Sequence, residues 1–107
     1  MADLEDVRRI ALGLDGTRAA PHFDRTAFKV VRIYATLGGD GSLNLKLTHD
    51  EQDFKVLLAP EIFSAIPNAW GRQGWTSVEL GTIGMTELEA ALRMAWEHGR
   101  AKSPKKR

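Results

Sequence analysis

The most informative stretch of the sequence is Asn68-Ala69-Trp70-Gly71-Arg72-Gln73-Gly74-Trp75-Thr76. It places two of the three tryptophans five residues apart, with two glycines and an arginine between them. Glycine permits positive φ or a close backbone approach, and tryptophan supplies a large surface with one polar group. We therefore predict a rigid corner that leads into a strand over residues 75–80. Its side chains either serve a binding surface or close one end of a core.

The length of 107 residues corresponds to a single domain that can bury its own core. The absence of cysteine excludes disulfides, thiolate metal sites and a cysteine nucleophile, and it fits a reducing compartment. No apolar run approaches the roughly 18 residues that span a bilayer, and residues 1–6 are acidic where a signal peptide is basic. We predict a cytoplasmic monomer with no membrane association.

The charge distribution separates the domain from its C-terminus. The net charge is +1, but four of the fifteen basic residues occupy the last six positions, so the body is mildly acidic. We predict one domain over residues 1–100 and a flexible basic tail over residues 101–107, which acts as a non-specific electrostatic arm. Removing the tail should leave stability nearly unchanged. Its basic residues are Lys102, Lys105, Lys106 and Arg107.

Three helices are predicted from apolar spacing and capping signals. Asp3 caps the first, over residues 4–14. Thr48 and Glu51 form a capping box for the second, and Thr86 and Glu89 form one for the third. The second helix continues through Phe54, Leu57 and Leu58 and ends before Pro60, and the third ends at Gly99.

The strands are predicted from β-branched, aromatic and alternating residues. Residues 27–37 form either two short antiparallel strands with a tight turn near Val31-Arg32 or one long bulged strand. The Gly38-Gly39-Asp40-Gly41 segment is a hairpin turn, and residues 43–47 alternate strictly. Residues 21–25 are an extended lead-in and residues 62–67 a loop.

The element order α-β-β-β-α-β-α predicts an α+β sandwich of two layers, with helices on one face of an antiparallel sheet. Alternation assigns side chains to the two faces of that sheet. The inward set is Ile33, Ala35, Leu37, Leu43, Leu45, Leu47, Val78 and Leu80. The outward set is Lys29, Arg32, Tyr34, Thr36, Asn44, Lys46, Trp75 and Ser77.

The residues show no catalytic or metal-binding pattern. His22, His49 and His98 lie in three different elements without metal-ligand spacing, and no serine stands in a nucleophile elbow. We expect neither an enzyme nor a bound cofactor or metal. The outward face is unusual because it combines basic and aromatic side chains. Two outward aromatics form a binding surface or a stabilising cross-strand pair, and the residues alone leave both interpretations open.

The sequence resembles the YjbR/MmcQ family of small bacterial proteins. The similarity runs from about Leu4 to Trp96. The segments that carry it are Pro21-His22-Phe23, Ala27-Phe28-Lys29-Val30, Ala35-Thr36-Leu37, Leu43-Asn44-Leu45-Lys46-Leu47 and Trp70-Gly71-Arg72-Gln73-Gly74-Trp75-Thr76. The chain departs from the family pattern at Val30-Val31-Arg32, where other members carry a longer turn that contains glycine.

This resemblance implies a sandwich similar to frataxin and its bacterial counterpart CyaY, and DNA binding by analogy with winged DNA-binding folds. We therefore predict a non-enzymatic DNA-binding protein that uses the open face of its sheet. The alternative is a protein or small-ligand interaction module on the same face. The candidate nucleic-acid-binding residues are Lys29, Arg32, Tyr34, Lys46, Arg72 and Trp75. Trp70 is predicted to close the end of the sandwich, so that Trp70→Ala lowers the melting temperature sharply.

Overall fold

The structure is a computed structural model that describes residues 2–101. These residues form four helices and an open antiparallel sheet of six strands, which confirms the α+β prediction. In chain order the elements are α1 (Leu4–Gly13), β1 (Arg18–His22), β2 (Arg25–Lys29), β3 (Ile33–Gly38), β4 (Leu43–Lys46), α2 (His49–Leu58), β5 (Phe63–Ala65), α3 (Ala69–Arg72), β6 (Trp75–Val78) and α4 (Met85–Arg100). Across the sheet the strands follow the order β1-β2-β3-β4-β6-β5. The predicted basic tail lies, from residue 102 onward, outside the described residues.

Three short elements are absent from the predicted order. Strand β1 begins before the segment interpreted as an extended lead-in and includes only its first two residues, Pro21 and His22. Strand β5 lies within the predicted loop, and α3 is a single turn. Both β1 and β5 are edge strands, with one hydrogen-bonded neighbour each. Most of their side chains are at least partly exposed. They consequently lack the strict apolar alternation that identifies a strand from sequence.

Two of the three long helices, α1 and α2, begin after the N-cap residues that the sequence predicts. The Asp3 carboxylate accepts a hydrogen bond from the Asp6 backbone amide, and the Asp6 carboxylate accepts one from the Asp3 backbone amide. This reciprocal pair is a capping box. Thr48 and Glu51 form the predicted box at α2. The box predicted at Thr86 is wrong, because α4 begins at Met85 with Gly84 as its N-cap and no side-chain cap.

The core lies between the sheet and helices α1 and α4. Most residues predicted to point inward are fully buried, including Ala35, Leu43, Leu45 and Leu47. The third tryptophan, Trp96, is also buried, and its Nε1 donates a 2.9 Å hydrogen bond to the Asp15 carbonyl oxygen. We call this side of the sheet the covered face and the other side the open face.

A β-bulge in β3 reverses two of the predicted orientations. Phe28 pairs with Ala35 but Lys29 pairs with Ile33, so Tyr34 is an extra residue. An extra residue interrupts the period of two. Tyr34 is therefore fully buried on the covered face, whereas Ile33 is only partly buried. The predictions that Tyr34 points outward and Ile33 inward are both wrong.

Helix α2 is held by a polar anchor and shows its apolar side chains to solvent. Gln52 is buried, and its amide nitrogen lies 3.0 to 3.2 Å from the Gly71 and Trp75 carbonyl oxygens and Thr76 Oγ1. These contacts connect α2 to the corner segment and to β6. The exposed apolar side chains of the helix are Phe54, Leu57 and Leu58.

Candidate nucleic-acid interface

The corner over residues 68–76 is rigid because its glycines pack against backbone. A Cβ atom at Gly71 would collide with the Ile66 carbonyl oxygen, and one at Gly74 with the Leu47 carbonyl oxygen. Gly74 also has a φ of 104°. Asn68 caps α3 by accepting a hydrogen bond from the Trp70 backbone. The structure thus places glycine where only glycine fits.

The Trp70 ring does not close the core. Trp70 is 59% exposed, so the prediction that it plugs the end of the sandwich is wrong. The corner is closed instead by the contact of Gly71 with the Ile66 backbone. Because that contact needs no side chain, the neighbouring tryptophan ring is free to face solvent.

Several basic residues occupy strand positions whose side chains point to the open face. Arg18 pairs directly with Lys29 across β1 and β2, and Lys46 pairs with Trp75 across β4 and β6. Among the described strands, no carboxylate occupies an open-face position. These positions are Arg18, Ala20, His22, Arg25, Ala27, Lys29, Ile33, Thr36, Gly38, Asn44, Lys46, Ser64, Trp75 and Ser77.

The structure brings several predicted site residues together at one end of this face. Arg32 and Lys46 line a cavity of about 330 Å³ together with Gln73 and His98. We call it the basic cavity. The Arg32 Nη2 donates a 3.3 Å hydrogen bond to the His98 carbonyl oxygen. Arg72 is exposed and immediately precedes Gln73.

Two more predicted residues adjoin this end of the sheet. Lys29 pairs with Ile33, which also lines the basic cavity. Trp75 is the cross-strand neighbour of Lys46. Five of the six candidates therefore lie on or beside the open face around the basic cavity, which leaves Tyr34 as the exception.

Tyr34 does not belong to the interface. Its hydroxyl lies 2.8 Å from Thr17 Oγ1 and donates to the Ala11 carbonyl oxygen at 3.4 Å. Burial raises the pKa of Tyr34 above its ordinary value of 10.0. The ring therefore stabilises the contact between β3 and α1 and has no access to a ligand on the open face.

One carboxylate stands beside the basic cavity. Glu51 Oε1 lies 2.8 Å from His98 Nε2, and the imidazole also lines the cavity. Partial burial alone would raise the pKa of Glu51, but hydrogen bonds from the Thr48 backbone and from His98 outweigh it and hold that pKa below 4.5. Glu51 is thus ionised at neutral pH, and its carboxylate is hydrogen-bonded to the Thr48 backbone and to His98.

A second concavity on the open face was missed by sequence reasoning. It has a volume of about 400 Å³ and is lined chiefly by His22, Phe23, Arg25, Trp70 and Trp75. Its other lining residues are Asp24, Thr36, Asn44 and Ile66, so one carboxylate stands at its edge. We call it the aromatic groove. Phe23 is 93% exposed, and the rings of His22 and Phe23 meet edge to face at 4.9 Å. The sequence signal that could have revealed it is the Phe23-Asp24 pair, which the structure places in the turn between β1 and β2.

Arg25 places a positive charge beneath this groove. Its guanidinium donates to Thr36 Oγ1 and the Thr36 carbonyl oxygen at 2.9 and 3.0 Å. It also donates to Ser42 Oγ and the Ser42 carbonyl oxygen, both at 2.8 Å. Within residues 2–101 no carboxylate forms an ion pair with it. The bonds fix Arg25 across β2, β3 and the start of β4, where its charge acts on the Asp40 carboxylate without forming an ion pair.

Over residues 2–101, no group of three histidine, aspartate or glutamate side chains is placed to hold a metal ion. Within the same range, each helix is too short or too polar to cross a membrane.

Comparisons with known proteins agree with this fold. No curated protein matched the sequence. The crystal structure of the Deinococcus radiodurans protein DR2400, which carries a DUF419 domain, superposes with a TM-score of 0.76 at 23% identity. The superposition covers 89% of this chain and 76% of the Deinococcus chain, and at that identity it shows the fold alone. The YjbR family model matches residues 12–98, which is most of the chain. This chain therefore belongs to the YjbR family.

Proposed function

We propose that the protein binds DNA, without catalysis, through the open face of its sheet. The observation that carries the proposal is the Arg18 and Lys29 pair, which opposes two positive charges across neighbouring strands. Like charges directly opposite each other destabilise a sheet. A bound polyanion would remove that cost, whereas a face with no ligand gains nothing from it.

The positions of the other basic residues support a phosphate-binding role. Lys29 and Lys46 are both partly buried, so the sheet holds their stems while the ammonium groups remain available. Arg32 and Lys46 converge on the basic cavity. Phosphate contacts of this kind release counterions and do not depend on base sequence.

The experiment compares charge reversals in the full-length chain. Since the four basic residues at the C-terminus could bind DNA by themselves, they are first changed to glutamine. In this background, Lys29→Glu with Lys46→Glu should abolish binding to DNA at about 50 mM salt, where electrostatic contacts are strong. Single reversals should each reduce the slope of log K against log salt by roughly 0.9 on duplex DNA.

The matched control reverses two arginines on the helix layer. Arg9 and Arg93 lie on α1 and α4 and line a shared surface depression away from the open face. Arg9→Glu with Arg93→Glu changes the net charge by the same amount and should leave binding largely intact. Equal losses in the two double variants would show that only net charge matters, and no binding by the tail-neutralised parent would contradict the proposal.

A protein or small-ligand module on the same face is the second candidate. The aromatic groove favours it, because a concavity of about 400 Å³ lies within the usual range for small-molecule sites. Binding of that kind should be weakly dependent on salt and should survive the Lys29→Glu and Lys46→Glu reversals.

A further inference from the structure

We infer that the aromatic groove binds unpaired nucleobases, so that the protein prefers a single strand to a duplex. The inference rests on the proposed function, because it assigns the bases of the same ligand to a neighbouring site. Two exposed aromatic side chains carry the inference. Phe23 has a strained backbone conformation, and Trp70 stands on a rigid segment of backbone.

Phe23 is exposed and conformationally strained at once. It has a φ of 59° and is the first residue of the two-residue turn between β1 and β2. Glycine or asparagine is preferred at such a position, and a bulky residue there is an outlier. Its ring gains little from packing, since 93% of the residue is exposed. A strained residue that contributes nothing to the core is a candidate for a binding role.

Trp70 stands on a constrained stretch of backbone. Its backbone amide donates a hydrogen bond to Asn68 Oδ1, and Gly71 packs against the Ile66 backbone. The indole is therefore held on a fixed support although it is 59% exposed. An exposed ring on a rigid support loses little conformational entropy when a base stacks on it.

The floor of the groove supplies polar groups that suit a nucleobase. Arg25 provides a positive charge that the described residues do not pair. The Asn44 side-chain amide is partly exposed and forms no hydrogen bond to another group of residues 2–101. An amide can both donate to and accept from the edge of a base. An apolar ligand would leave the Asn44 amide without a partner.

The groove adjoins the basic cavity, which distinguishes a nucleic acid from a free small molecule. Trp75 lines the groove and Lys46 lines the cavity, and the two residues are direct cross-strand neighbours. A single strand can place bases on the aromatic rings while its phosphates reach Lys46 and Arg32. Paired bases are stacked inside a duplex and cannot reach the rings. Proteins that bind single strands combine these two elements, a basic track and aromatic stacking positions.

The test uses the full-length chain with the tail lysines and arginine changed to glutamine. Its ligands are a homothymidine oligonucleotide of about 12 nucleotides, an abasic oligonucleotide of equal length, and a duplex. The abasic ligand retains the phosphates and removes only the bases. We expect the homothymidine strand to bind more tightly than the abasic strand. Phe23→Asn and Trp70→Ala should each weaken homothymidine binding by roughly 5- to 150-fold, and leave abasic binding unchanged.

The controls separate binding from stability. Phe23→Asn removes the strain, so its melting temperature should equal or exceed that of the parent. Phe54→Ala removes another exposed aromatic ring, which is 61% exposed against 59% for Trp70 and does not line the groove. It should not change any affinity.

Each result discriminates between the two levels of the proposal. Suppose that the homothymidine and abasic strands bind equally and salt-dependently, and that Lys29→Glu with Lys46→Glu abolishes this binding. That result would overturn the base-binding site and retain the DNA-binding function. Binding of none of the three ligands would overturn both. Loss of homothymidine binding in Phe54→Ala to the same extent as in Phe23→Asn would also overturn the assignment to the groove.

Discussion

The two faces of the sheet differ in how favourable their interactions are. On the covered face, large side chains such as Tyr34, Leu43 and Leu45 are fully buried, and over residues 2–101 every buried side-chain polar atom has a hydrogen-bond partner. On the open face, Arg18 opposes Lys29 and the turn at Phe23 is strained. The hydrophobic core is thus confined to one face, whereas the other face carries unfavourable arrangements that the proposed binding function would explain.

The largest expected effect comes from the backbone contact that supports this division. Gly74→Ala would force a Cβ atom against the Leu47 carbonyl oxygen at a φ of 104°. Strain and overpacking together should lower the free energy of unfolding by roughly 3–5 kcal/mol. Urea denaturation monitored by circular dichroism measures this loss.

The control for that substitution lies in the hairpin turn of the same sheet. Gly39 has no heavy atom within 4 Å of a built Cβ and no positive φ, so Gly39→Ala should be nearly neutral. A Gly74→Ala variant as stable as Gly39→Ala would mean that the corner is not constrained by backbone packing.

A somewhat smaller effect is expected at the polar anchor of α2. Gln52→Ala leaves the Gly71 and Trp75 carbonyl oxygens and Thr76 Oγ1 without the amide that they share. The Gly74 and Ile66 backbone amides still donate to those two carbonyl oxygens. The loss of the bonds from Gln52 should therefore reduce the free energy of unfolding by about 1–3 kcal/mol. Gln73→Ala, at an exposed position of the corner, is the matched control. Similar unfolding curves for the two variants would refute the anchoring role.

Sequence reasoning succeeded where one physical rule dominates. Strict alternation over residues 43–47 predicted the buried leucines because β4 lies in the middle of the sheet. The N-cap at Asp3 and the capping box at Thr48 predicted helix starts because they depend only on local geometry. The glycines predicted a rigid corner for the same reason.

It failed where a local irregularity or a distant contact decides. The bulge at Tyr34 is a single extra residue that exchanges the faces of Ile33 and Tyr34, and alternation carries no sign of it. The aromatic groove combines the turn at Phe23 with the corner at Trp70, which are far apart in sequence. Residues such as Arg25 could not be assigned to a site before the strand order was known.

A modest, pH-dependent effect is expected from the carboxylate beside the basic cavity. The pKa of Glu51 is below 4.5 in the folded protein, so its ionised form stabilises the fold above that pH. This contribution is lost as the pH falls through the lowered pKa. Glu51→Gln keeps a residue that can complete the capping box, and removes the charge that faces His98.

We therefore expect Glu51→Gln to be less stable than the parent at pH 7, by less than about 1 kcal/mol because the pair is partly exposed. The difference should shrink as the pH falls below about 4.5. Urea denaturation at several pH values measures it, with Glu89→Gln on the exposed side of α4 as the control. A constant difference across that range would contradict an electrostatic origin.

A similarly small effect is expected at Trp70, and it is the sharpest test of the contrast between the two faces. Trp70 is 59% exposed, so Trp70→Ala should reduce the free energy of unfolding by no more than about 1 kcal/mol. Trp96 is buried, donates to the Asp15 carbonyl oxygen and lies beneath the Arg100 guanidinium, 5.1 Å from the ring centre. Trp96→Ala should therefore cost about 3–5 kcal/mol. If Trp70→Ala proved as destabilising as Trp96→Ala, Trp70 would be a structural residue, and its exposed ring could no longer be explained by ligand binding.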